Sequence, residues 1–138
     1  MGGFSRPMVR QKGVVREAGA GDQYNKKPYV VGDVALTLTA AVLAGGLVVG
    51  APGSARTYTI DTAANLLASD TFADMDIGDS YEFLISNQTA ATHAITFAVA
   101  TGVTLLAGGV ANYGIAAATT KHFLLIKASA TTFNVLAI

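Results

Sequence analysis

This 138-residue sequence predicts an all-β fold, and three observations carry that expectation. Apolar residues recur with period two in several short runs. Turn signals separate the runs at roughly 8–12 residue spacing, the pattern of a β-sandwich or barrel. No apolar stripe at helical spacing is long enough to build βαβ units. Hydrophobic residues make up 51% of the chain and charged ones 13%, so the strands have ample apolar surface to bury.

The elements follow in order. Val34, Leu36 and Leu38 alternate with Ala35, Thr37 and Thr39 and open the β body. Ala40–Ala44 reads as a short helical turn stopped by Gly45-Gly46, and Leu47–Val49 resumes as strand. Pro52-Gly53-Ser54 marks a turn, Arg56–Ile60 a strand, and Asp61 or Thr62 caps a short helix through Ala63, Ala64, Leu66 and Leu67. Ser80–Asn87 alternates cleanly, with Tyr81, Phe83 and Ile85 on one face; His93, Ile95, Phe97 and Val99 do the same after a turn. Gly102 introduces Val103–Leu106, Gly108-Gly109 introduces Val110–Ile115, and Lys121–Lys127 and Phe133–Ala137 complete the series. Tyr81, Phe83, Ile85, Ile95, Phe97 and Val99 are expected to share one core with Leu124, Ile126, Phe133 and Val135. The run Thr37–Ala44 echoes Thr59–Ala68 weakly: each is a Thr-flanked strand running into an Ala/Leu turn of helix. Chance similarity in an Ala/Thr/Leu-rich chain explains the echo as well as a duplication does.

Charge divides the chain in two. Residues 1–33 hold six basic side chains (Arg6, Arg10, Lys12, Arg16, Lys26, Lys27) against three acids, whereas 34–138 hold only nine charges, three basic and six acidic. The first segment, rich in glycine and without sustained period, is too poor in apolar surface to offset its own ordering. We read it as an extended basic arm ordered against a partner, its cations meeting acidic protein surface and Tyr24, Tyr29 and Val30 supplying apolar anchors. The body, 34–138, is a single domain whose nearly uncharged surface invites association. Cations interspersed with acids and glycines, without aromatics between them, point to protein rather than specific nucleic acid. The uncharged run Ala35–Ala51 has nearly spanning length, but its glycines and Thr alternation read as soluble β structure rather than membrane helix.

Catalytic and metal motifs are weak. Asp74-x-Asp76 followed by Gly78-Asp79 begins like a calcium loop, but glycine occupies the fifth position and Ile85 the twelfth, where a carboxylate belongs. Asp70, Asp74, Asp76 and Asp79 therefore read as a solvated loop before a strand. His93 and His122 stand apart with no cysteine in the chain, no Gly-x-Ser-x-Gly elbow occurs, and the glycine pairs lack a phosphate-binding context. We expect no enzyme, cofactor, metal or small-molecule substrate.

Four blocks carry a family likeness: Leu36–Gly46, Arg56–Ile60 with Asp61–Leu67, Ile77-Gly78-Asp79-Ser80-Tyr81-Glu82-Phe83, and Thr101–Leu105. Through them the body resembles the head decoration (cement) proteins of tailed bacteriophages. The resemblance implies a jelly-roll-like β-sandwich that trimerises on the capsid exterior, binds where major capsid protein subunits meet and reinforces the shell, having assembled in the host cytoplasm. A trimeric tail-fibre or receptor-binding domain recognising host glycans is the alternative. It calls for exposed aromatics beside polar loops, a role open only to Phe72 and Tyr113.

Overall fold

Strand dominates the residues described by the computed structural model, 27–106 and 113–138. Ten strands and two short helices occur there: β1 Tyr29–Val31, β2 Leu36–Leu38, α1 Ala40–Leu43, β3 Leu47–Gly50, β4 Arg56–Ile60, α2 Ala63–Leu67, β5 Ser80–Asn87, β6 Ile95–Ala98, β7 Val103–Leu105, β8 Gly114–Ile115, β9 Thr119–Lys127 and β10 Phe133–Ala137. The all-β expectation is met, short helical turns included. The first strand begins at Tyr29, ahead of the Val34 boundary expected for the body.

Each helix is set by a threonine. The Thr39 hydroxyl accepts from the Val42 amide at 3.3 Å and the Thr62 hydroxyl from the Asn65 amide at 3.2 Å, satisfying amides that a helix N-terminus leaves open. Asp61 adds to the second cap by accepting from the Thr62 amide and the Asn65 side chain.

The strands form two mixed sheets, ordered β1-β3-β5-β9-β10-β7 and β2-β4-β6-β8. Up to β6 the chain alternates between them, and each return runs parallel to its predecessor: β1 with β3, β3 with β5, β2 with β4, β4 with β6. The chain thus winds as a short parallel coil, closed by the antiparallel pairs β5–β9, β9–β10 and β6–β8 and a parallel β10–β7 pair. Jelly-roll sheets are built from antiparallel neighbours; this coil is not. The echo noted in the sequence has a structural counterpart, since β2 and β4 pair with Thr37 opposite Thr59 and Leu38 opposite Ile60. Both strands run into a Thr-capped helix, with Asp61 as the one extra residue before the second cap.

The core lies where the two sheets meet. Phe97 of the four-stranded sheet stacks on Phe123 of the six-stranded sheet at 4.7 Å between ring centres, with Phe83 and Tyr113 alongside. Phe83, Ile85, Ile95, Phe97, Phe133 and Val135 are buried as expected, and Tyr81 and Val99 pack partly buried against them. Leu124 and Ile126 are a correction. Phe123 and Leu125 face the core, leaving Leu124 and Ile126 on the outer face. The run Phe123-Leu124-Leu125-Ile126 is apolar at every position, so alternation could not choose a face, and a slip of one residue inverts the whole strand. Phe72 and Tyr113 lie outside the strands, but both are buried rather than exposed. No helix among the described residues is long and apolar enough to cross a membrane.

Candidate functional site

The two sheets present very different outer faces. On the four-stranded sheet Thr37, Thr57, Thr59 and Thr96 point outward, with Thr37 opposite Thr59 and Thr57 opposite Thr96. On the six-stranded sheet the outward positions mix aliphatic residues with polar ones, among them Ser80, Ser86, Thr104, Thr120 and Asn134. Leu47 stands opposite Leu84, and Leu124 opposite Leu136, while Val49 and Ile126 extend the surface; all six are half-buried. Glu82 and His122 interrupt this face, with a carboxylate oxygen 2.5 Å from His122 Nε2.

Strand β1 borders this face. Its Val31 is buried, but Tyr29 and Val30 are 40% and 75% exposed. They were expected to anchor the arm on a partner; the structure places both on a sheet edge, with Lys27 exposed two residues upstream of Tyr29. Arg6, Arg10, Lys12, Arg16, Tyr24 and Lys26, the other residues assigned to the arm, lie outside the described residues. A contact absent from the sequence reading ties this junction down: Arg56 Nε donates to Asp33 Oδ1 at 2.9 Å. That hydrogen bond, reinforced by the Gly53 amide, holds the Asp33 carboxyl below the usual carboxylate range, and the same bond raises Arg56. The partners lie 23 residues apart in the chain, and no local pattern links them.

Next to that pair, the Tyr58 hydroxyl is buried without a hydrogen-bond partner among the described groups. Burial, followed by the nearby Asp33 charge, raises its pKa. The ring owes its position to a glycine: a Cβ on Gly50 would stand 2.1 Å from the Tyr58 hydroxyl.

The acidic loop is stitched to the sheet rather than gathered round a centre. The Asp76 amide donates to Asp79 Oδ2 and the Asp79 amide to the Asp76 carbonyl, and Gly78 turns the chain at φ 96°. The Gly78 amide donates to the Lys127 carbonyl, and Lys127 Nζ donates to the Met75 carbonyl. Among the described residues no three His, Cys, Asp or Glu side chains converge as a metal site. His93 lies before β6 and His122 on β9. Comparison with protein-family models, curated proteins and solved structures gives no match.

Proposed function

We propose that this chain is a virion structural protein that decorates and stabilises a phage capsid, binding the shell's outer surface as an oligomer. The observation that carries the reading is the contrast between the outer faces. The aliphatic face with Leu47, Leu84, Leu124 and Leu136 is the one to cover, and the threonine face the one to leave in water. Two half-buried aliphatic pairs, Leu47 with Leu84 and Leu124 with Leu136, lie on a face that Glu82 and His122 interrupt, and apolar side chains gathered on one surface favour an interaction site there. The likeness of the body's sequence blocks to capsid decoration proteins points to the major capsid protein and to further copies of the chain, a homotrimer in that family's manner, as partners. The N-terminal arm, with its excess of cations, contacts neighbouring subunits.

We read the finer architecture as a β-sandwich, because rings from both sheets interlock in one core; its winding is that of a parallel coil rather than of a Greek key. The glycan-binding alternative loses its two candidate aromatics, since Phe72 and Tyr113 are both buried. A subunit that binds only the assembled shell stabilises it by linkage, and several copies add avidity.

Co-sedimentation with empty capsids tests the proposal. The full chain is expected to pellet with shells and to raise their melting temperature. Replacing Arg6, Arg10, Lys12 and Arg16 with Ser is expected to weaken pelleting and blunt its salt dependence, because exposed charge pairs are screened. A full chain that stays in the supernatant at every salt concentration would sink the reading.

A further inference from the structure

Edge strands are normally kept very short or blunted by charge, proline or a bulge; β1, three residues long, has Lys27 and Pro28 just ahead of it but neither charge nor proline within Tyr29–Val31. Among the described residues it ends the six-stranded sheet and sits in a cluster of exposed apolar side chains. Three of the five large exposed hydrophobics of the described residues fall between positions 29 and 34: Tyr29, Val30 and Val34.

We propose that the free edge of β1 pairs with the same edge of a second copy of this chain, antiparallel about a two-fold axis through Val30. The argument is self-complementarity. In such a pairing each residue lies opposite the one equally distant from Val30 on the other side. Val30 meets Val30 on the exposed face. Tyr29 meets Val31 of the second copy, an aromatic beside a β-branched side chain, which is a favourable cross-strand pair. Pro28, which has no amide to donate, meets Gly32 at the end of the ladder. Lys27 meets Asp33 of the second copy, twice over by symmetry. Arg56 occupies Asp33 Oδ1, and an ionised carboxylate has lone pairs left for a second cation. A register shifted by one residue keeps neither the charge match nor the Tyr29–Val31 pair. An unrelated strand would find no such reciprocal match, so the second copy is the occupant the edge fits. The pairing is isologous and independent of what the protein decorates: it doubles whatever smaller unit exists.

The chain has no cysteine, so a single introduced thiol reports the pairing. Directly opposed antiparallel residues stand about 4.5–5.5 Å apart at Cα, within disulfide reach. Full-length Val30→Cys, mildly oxidised at micromolar concentration, is expected to give a covalent pair. Val34→Cys, also exposed but away from the axis, is expected to give little. Lys27→Glu places like charges opposite Asp33 and is expected to weaken the association about tenfold, halving the native mass seen by light scattering near the dissociation constant. The proposal is overturned if both thiols cross-link equally, or if Lys27→Glu leaves the mass unchanged. It is overturned too if Val30→Cys resists both oxidation and alkylation, since another segment then covers the edge. Capsid pelleting is scored separately, so a failure of the decoration reading leaves this result standing.

Discussion

Tyr58 and Tyr113 carry the same hydroxyl into one core and should answer oppositely to its loss. Tyr113 donates to the Leu106 and Val135 carbonyls at 2.7 and 3.0 Å. Tyr113→Phe should cost about 1–2 kcal/mol in chemical denaturation, the worth of a satisfied buried hydroxyl. Tyr58 has no such partner among the described residues, and a buried unpaired hydroxyl is a liability. Tyr58→Phe should leave stability unchanged or raise it by up to about 2 kcal/mol; a loss as large as that of Tyr113→Phe would mean a partner exists. Asp33 makes a prediction in pH. Its folded pKa is depressed by the Arg56 hydrogen bond, so the pair's contribution is complete above the unfolded carboxylate pKa of about 3.9. It fades as the pH falls through the lower folded value. Between pH 5 and the acid transition, Asp33→Asn should lose stability less steeply than the parent protein; parallel curves would show that the pair contributes nothing.

Strands were legible where their two faces differ in polarity and ambiguous where they do not. β4 and β5 alternate apolar with polar residues, and their inward sets, Tyr58 with Ile60 and Phe83 with Ile85, follow from period two alone. β9 offered no contrast along Phe123–Ile126, and its face was misjudged. The same ambiguity hid the outer aliphatic surface, because Leu124 and Ile126 were assigned to the core. The second helix cap was read as Asp61 or Thr62 because a side-chain oxygen three residues from an amide is a local signal; Thr39 carries the same signal before the first helix but was not singled out. The Asp33–Arg56 pair, and the use of Tyr29–Val31 as a sheet edge, depend on contacts between distant segments that no local pattern encodes. The β9 correction is testable. Phe123→Ala should cost about 3–5 kcal/mol and Leu124→Ala well under half of that; the reverse order in denaturant titrations would restore the original face.

At the scale of the whole molecule, charge is sparse, 13% of the chain, and four threonines line the outer face of the four-stranded sheet. Glycines at contact points keep the coil tight: Gly102, at φ 85°, turns the chain into β7 where a Cβ would stand 2.6 Å from Ala63 Cβ. The order of winding also constrains how the chain can acquire its shape. The central ladder pairs Ser80–Asn87 with residues 119–126 of β9, so one side of β5 has no β9 partner until β9 has been made. Closing that ladder early would incur the loop entropy of the intervening segment before any contact repays it. Folding on the ribosome should therefore be held back until β9 and β10 emerge. A chain stopped at Ala118 is expected to show no cooperative unfolding transition, and nascent chains of that length should remain open to protease until β9 and β10 arrive to shut the sheet.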